Sequence, residues 1–343
     1  MGNLILRIVA LLLVVLIAAY FYYWYTPKVE EPPLLGQLYE YDIEVGQDDR
    51  RFRAYVPANV KPAAPLVFVL HGSLRRGDLM RTSTAYRFDQ LADQYGFVVL
   101  YPDGIDRHWN DCRASADYVA NVQDIDDPSF FSRMIEFASK QWEVDTSAVF
   151  VTGISNGGHM AFRLAMERPQ EYQAIAVVAA NLPVQENRDC ENLEQAIAVA
   201  IFNGTEDAVN PYEGGLVSLF GNETRGYVLS TEQTMRYWLG LADINWADSE
   251  ITEHAERDGN AATVVLEQRW QGGAYDQQFR LYQLTGSGHV FPLLKRRFPR
   301  LLGTSAGDVS GPEEIVDFFY STLGRNLQRE VVDDEGSQNG IGL

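Results

Sequence analysis

The sequence predicts an α/β fold with a mainly parallel central sheet and helices on both faces. Short, continuous apolar runs recur at PLVFVL (65–70), FVVLYP (97–102), SAVFVTG (147–153), AIAVVAA (174–180) and AIAVAIF (196–202). Such runs suit strands buried on both sides. Segments with helical spacing fall between or after them, and alternation of the two is the signature of this class. One run also passes directly into a helical pattern through Gly153-Ile154-Ser155-Asn156-Gly157.

In chain order, LYEYDIEV and RFRAYVP alternate apolar and polar residues and read as a strand pair at a sheet edge. Tyr86 to Tyr95 has helical spacing. Asp127 to Trp142 is a second helix, with Pro128 near its start. STEQTMRYWLG (230–240) begins as a helix, with Glu232 near its N-terminus. ATVVLEQRW and QQFRLYQL, within 262–284, read as strands joined by a turn containing glycine. PEEIVDFFYSTL (312–323) closes as a helix. No second core stands out, so one catalytic domain is expected over residues 35–326, followed by a flexible acidic tail over 327–343.

The 343 residues are 46% hydrophobic and carry a formal net charge of −19. That charge repels phosphate backbones, so no nucleic-acid partner is expected. Two cysteines exclude a thiolate zinc cluster. Ile8 to Tyr25 carries no charge and ends in aromatic residues. As a helix it spans about 27 Å, close to the thickness of a bilayer core. Arg7 precedes it, and Glu30 and Glu31 follow. Residues 1–26 are expected to be a transmembrane signal anchor and 27–34 a proline-rich spacer, with the domain on the extracytoplasmic side. The alternative is a cleaved signal peptide and a secreted protein. A cut after Ala19 would place bulky Ile17 at the −3 position. Outside the cytoplasm Cys112 and Cys190 are a candidate disulfide, against the alternative of two buried thiols.

A strand that meets a helix at a single serine turns sharply, and side chains two positions either side would collide. Gly153 and Gly157 remove the collisions and leave the Ser155 hydroxyl exposed above the sheet. The helix start aims N–H groups at the same point, which suits a developing oxyanion. Among five histidines, His289 follows the last predicted strand in TGSGHVFP and is the candidate base. His159, in the helix after Ser155, is expected to point away. His254 is expected to be solvated in an acidic linker, and His108 lies in a loop. Asp207 follows a buried strand and Gly204 and is the candidate orienting acid, with Glu206 as its neighbouring alternative. The order Ser155, Asp207, His289 is that of the α/β-hydrolase fold. Backbone N–H groups of Asn156 and Ser73 are the candidate oxyanion hole, with His71 and Gly72 shaping the loop LHGSLRRG. His71 has no clustered partners that would make it a metal ligand. No cofactor and no metal ion are expected.

LVFVLHGS, FVVLYPDG, WNDCR, VFVTGISNGGHMAFRLA, IFNGTEDAVNPYEGG and GSGHVFP, taken together over residues 65–292, resemble the extracytoplasmic poly(3-hydroxybutyrate) depolymerase and feruloyl esterase family, a carbohydrate-esterase branch of the α/β-hydrolases. The resemblance implies a serine carboxylic-ester hydrolase with Ser155 as nucleophile, Asp207 as acid and His289 as base. It also places Trp109 in the loop at the substrate pocket, together with His71 and Phe291. Ser73 stands where these depolymerases often carry cysteine, and Phe291 where the family usually has tryptophan. No polymer-adhesion domain or long Thr-rich linker is expected from these 343 residues. A soluble hydroxyalkanoate oligomer or an aryl or acetyl sugar ester is therefore the expected substrate, taken by a monomer that meets the membrane through its N-terminal helix. An acyltransferase with the same triad, a serine peptidase and an anchored binding module with a vestigial site are the alternatives.

Overall fold

The computed structural model describes residues 2–294, 298–325 and 327. The acidic tail expected over 327–343 lies, beyond Leu327, outside the described residues.

The strands are β1 (Gln37–Val45), β2 (Asp48–Val56), β3 (Leu66–Leu70), β4 (Val98–Pro102), β5 (Val149–Ile154), β6 (Ala174–Val178), β7 (Ala198–Gly204), β8 (Gly215–Leu216), β9 (Tyr227–Val228), β10 (Glu250–Glu253), β11 (Val264–Gly272) and β12 (Gln277–Thr285). The helices are α1 (Gly2–Tyr23), α2 (Gly77–Ser83), α3 (Arg87–Tyr95), α4 (Val119–Val122), α5 (Asp127–Trp142), α6 (Asn156–Glu167), α7 (Thr231–Leu241) and α8 (Gly311–Thr322). Ten strands form one sheet in the order β1-β2-β4-β3-β5-β6-β7-β12-β11-β10. The middle, from β4 through β12, is parallel, and both edges are antiparallel. Short β8 and β9 pair separately.

Alternation along β3 shows how the core is divided. Leu66, Phe68 and Leu70 pack with α5, α6 and α7, whereas Val67 and Val69 pack with α2, α3 and α8. Successive strand side chains point to opposite faces, so one buried strand serves two helical layers. The helix starts follow local chemistry. Asp126 caps α5 by accepting from the Ser129 N–H at 3.0 Å, with Pro128 in the first turn. Ser230 and Gln233 form a reciprocal capping box on α7.

The expected edge pair, buried strands and helices are present. β10 falls in the segment read as an acidic linker, and His254 follows it directly. His254 is not simply solvated: its Nε2 lies 3.0 Å from the fully buried Glu267 carboxylate.

From Ile5 to Tyr23 helix α1 is almost wholly exposed, and this stretch has a mean hydropathy of 2.6. Its end rests on the body. The Arg300 guanidinium lies 4.2 Å over the Tyr22 ring, and Trp24 packs on Phe220 at 5.8 Å. The spacer is held as well. Glu31 pairs with Arg81 at 2.8 Å, and the Leu35 N–H donates to Asp93 at 2.8 Å.

Candidate active site

Parallel strands β3 to β7 and β12 all deliver their following loops to the same edge of the sheet. Such an edge is where open α/β sheets build sites. Ser155 sits there between β5 and α6 at φ 56°, ψ −123°. That backbone is strained for a residue with a side chain. The two glycines make the turn fit. A Cβ on Gly153 would stand 2.4 Å from the Gly157 carbonyl oxygen, and one on Gly157 would stand 2.6 Å from that of His71.

His289 and Asp207 come together from the loops after β12 and β7. The imidazole Nδ1 lies 2.7 Å from Asp207 Oδ2. Asp207 Oδ1 accepts the N–H groups of Val209 and Asn210, each at 2.8 Å, so both carboxylate oxygens are oriented. Asp207 and His289 are buried, and Glu206 is exposed. Asp207, rather than Glu206, therefore pairs with the histidine. Gly204 allows the two loops to meet, because a Cβ there would lie 2.2 Å from the Ser287 carbonyl oxygen.

The loop after β3 passes beside Ser155: a Cβ on Gly72 would approach Ser155 Cβ to 3.3 Å. Among the described residues, neither the Ser73 N–H nor the Asn156 N–H has an acceptor.

His71, Trp109 and Phe291 do not line a pocket as expected. His71 and Trp109 are fully buried and Phe291 nearly so. They support the site from beneath. The Gly104 N–H donates to His71 Nε2 at 2.9 Å, which puts the ring proton on Nδ1, facing the Gly72 carbonyl at 2.9 Å. Burial lowers the His71 pKa to about 4, so the ring stays neutral. The Trp109 indole N–H donates to the His71 carbonyl at 2.9 Å, which fixes the HGS loop. Phe291 packs under the His289 loop against Phe88.

A buried polar cluster behind the oxyanion loop was not read from the sequence. Asn156 Nδ2 donates to Asp111 Oδ2 at 2.6 Å, and Asn156 Oδ1 accepts the Trp109 N–H at 2.8 Å. Asp111 also pairs with Arg113 at 2.6 Å and accepts from the Tyr118 hydroxyl at 2.7 Å. Burial alone would raise the Asp111 pKa, but Arg113 and the hydrogen bonds outweigh it and hold the carboxyl well below its usual range. The WNDCR stretch was a signal that this loop mattered, but its partner, the side chain of Asn156, was not. Cys112 in the same stretch is bonded to Cys190, with Cα atoms 5.0 Å apart. His108 stacks on Tyr118 at 4.6 Å.

His159 also departs from expectation. It is buried one turn after Ser155 and lies within the electrostatic field of His289, Asp111 and Arg113. Residues four apart share a helix face, and the Cα–Cβ bond leans towards the helix start. The residue therefore sits one turn below the serine turn, and its backbone N–H donates to the Ser155 carbonyl at 2.9 Å. Burial, reinforced by Arg113, pushes its pKa well down.

Among the described residues no cluster of histidine, cysteine and carboxylate side chains is arranged to hold a metal ion. A cavity of about 320 Å³, lined by Gln195, Leu241, Tyr275 and Gln277, opens near the starts of β7 and β12, at the edge opposite Ser155.

Comparison with known proteins agrees with this architecture. Residues 52–186 match the family model described as Esterase PHB depolymerase. That match includes Ser155 and the loops at Ser73 and Trp109, while Asp207 and His289 lie beyond it. "Probable acetylxylan esterase A" of Neosartorya fischeri is 24% identical over 256 residues, which is 70% of this chain and 66% of that protein. "Acetylxylan esterase A" of Talaromyces purpureogenus is 24% identical over 256 residues, covering 70% of this chain and 63% of that protein. The chain thus spans just under two thirds of the length of these relatives. The solved "Acetyl xylan esterase from Aspergillus awamori" superposes with a TM-score of 0.51 at 18% identity, over 75% of this chain and 96% of that one. At that identity the likeness speaks for the fold. Residues 52–186 are thus similar to the esterase PHB depolymerase family, and the strand order and serine turn are those of the α/β-hydrolase fold.

Proposed function

We propose that the chain hydrolyses carboxylic esters outside the cytoplasm through an acyl-enzyme on Ser155. The observation that carries this reading is the 2.7 Å His289–Asp207 pair at the sheet edge where Ser155 occupies the strained turn. Asp207 holds the Nδ1–H tautomer of His289 and leaves Nε2 basic. His289 takes the Ser155 proton as Oγ attacks the acyl carbon. The resulting oxyanion is met by the N–H groups of Ser73 and Asn156. Collapse breaks the ester bond, and His289 returns the proton to the departing alcohol. Water then repeats the sequence, with His289 as base, and releases the acid and free Ser155.

Soluble esters are the favoured substrates: acetyl or aryl sugar esters, or hydroxyalkanoate oligomers. The acetylxylan esterase names of the relatives support the sugar-ester class. The apolar helix α1 supports membrane attachment.

The test is a set of initial rates on methyl ferulate, acetylated xylose, a 3-hydroxybutyrate trimer and a 4-nitrophenyl ester, with Ser155→Ala as the blank. Turnover that vanishes with Ser155→Ala, and labelling of the wild type by a fluorophosphonate probe, are expected. Equal turnover by the two proteins would overturn the mechanism.

A further inference from the structure

His159 and Arg225 are buried side chains that the proposed reaction does not use, with 3% and 6% of their surfaces exposed. His159 shares a face of α6 with Ser155, and its backbone N–H donates to the Ser155 carbonyl at 2.9 Å. Its Nδ1 is sealed in without a partner. Its Nε2 is not among the sealed atoms and has no partner among the described residues, so it is the ring atom left to meet a ligand.

Arg225 makes one side-chain hydrogen bond, from Nη1 to Asn222 Oδ1 at 3.2 Å, and no ion pair among the described residues. Its guanidinium lies 5.9 Å from the centre of the Tyr118 ring. The Tyr118 hydroxyl accepts from Asn156 Nδ2 at 3.1 Å. One aromatic ring thus separates Arg225 from the residue that follows the nucleophile. Arg225 and His289 both act electrostatically on His159.

Buried guanidinium groups are normally matched by a carboxylate, because an unmatched charge is costly to remove from water. The nearby Asp111 is already committed to Arg113, Tyr118 and Asn156. Asp117, which also acts on Arg225, is exposed and accepts from the Thr224 hydroxyl at 2.7 Å, so no buried carboxylate is left to match the Arg225 guanidinium among the described residues. A planar carboxylate suits that group, since guanidinium N–H groups bind its two oxygens in a fork.

We infer that Arg225 and His159 form a subsite for a carboxylate carried by the ester substrate. This rests on the ester-hydrolase reading and narrows it. The favoured substrates are half-esters of dicarboxylic acids, hydroxy-acid oligomers with a free acid end, or esters of acidic sugars. Arg225 supplies the charge, and neutral His159 donates from Nε2.

The test uses the full chain and two matched pairs of esters. 4-Nitrophenyl hydrogen succinate against 4-nitrophenyl butyrate places the carboxylate on the acyl side. 4-Acetoxybenzoate against its methyl ester places it on the leaving-group side. The wild type is expected to favour the anionic member of one pair in kcat/KM, which also identifies the side. Arg225→Met should reduce that preference about ten- to hundredfold, mainly through KM, and Arg225→Lys should restore part of it. His159→Gln should reduce it less. A wild type that turns over both pairs with no preference would overturn the subsite, as would an Arg225→Met variant that loses both members of each pair equally. A wild type that turns over no ester and resists the fluorophosphonate would instead overturn the hydrolase reading.

Discussion

Asn156 Nδ2 lies 2.6 Å from Asp111 Oδ2, which couples the residue after Ser155 to a buried carboxylate 45 positions earlier. The same side chain also holds both backbone groups of Trp109, at 2.8 and 3.1 Å. The loop after β4 and the start of α6 are therefore set by one amide. Asn156→Ala should cost about 2–4 kcal/mol, because it strands buried polar partners, and should lower kcat. Asn156→Asp should be worse, since it sets a second carboxylate against Asp111. Urea midpoints with parallel ester rates would check both.

Ser155 stores strain in its backbone. Ser155→Gly should abolish turnover yet raise stability by about 1 kcal/mol, the relief at φ 56° exceeding the entropic cost of glycine. A denaturation curve that shifts to lower urea would contradict this.

The Cys112–Cys190 bond closes 78 positions of chain. In the chain-entropy model, opening it removes about 4 kcal/mol. Reduction by dithiothreitol, or a Cys112→Ser/Cys190→Ser double substitution, should lower the unfolding midpoint by a corresponding amount. Cys112 follows Asp111 directly, so ester turnover should fall before global unfolding.

Acid should weaken the fold in a defined window. His71 has its pKa lowered by burial from 6.5 to about 4. Below pH 6.5 the unfolded chain takes up a proton at this ring that the folded chain refuses until about pH 4. The contribution is therefore intact above pH 6.5, declines as pH falls, and levels off below about 4, a loss of about 3 kcal/mol. His159 is shifted in the same direction. Urea midpoints from pH 7.5 to 4.5 should trace this slope, and His71→Gln should flatten it.

The parallel strands were legible because their apolar runs are continuous, and the serine turn because two glycines have a steric reason to be there. The Asp207–His289 pairing followed from chain order and strand ends. Other features depend on contacts between segments distant in sequence. Burial of His71 and Trp109 arises from a hydrogen bond between loops 38 residues apart. The Asn156–Asp111 link has no local pattern to announce it. The burial of His159 likewise depends on what packs against α6 and not on its spacing from Ser155.

The resting place of α1 has a further consequence. Tyr22 touches Arg300, and two residues on, Leu302 accepts the His289 N–H at 2.6 Å. With the Glu31 and Leu35 contacts the leash has little slack. The path from Tyr22 through Arg300 and Leu302 to His289 is only a few residues long, so a bilayer that took up the apolar helix would hold the His289 loop near its surface, and esters would be met there and not at a distance.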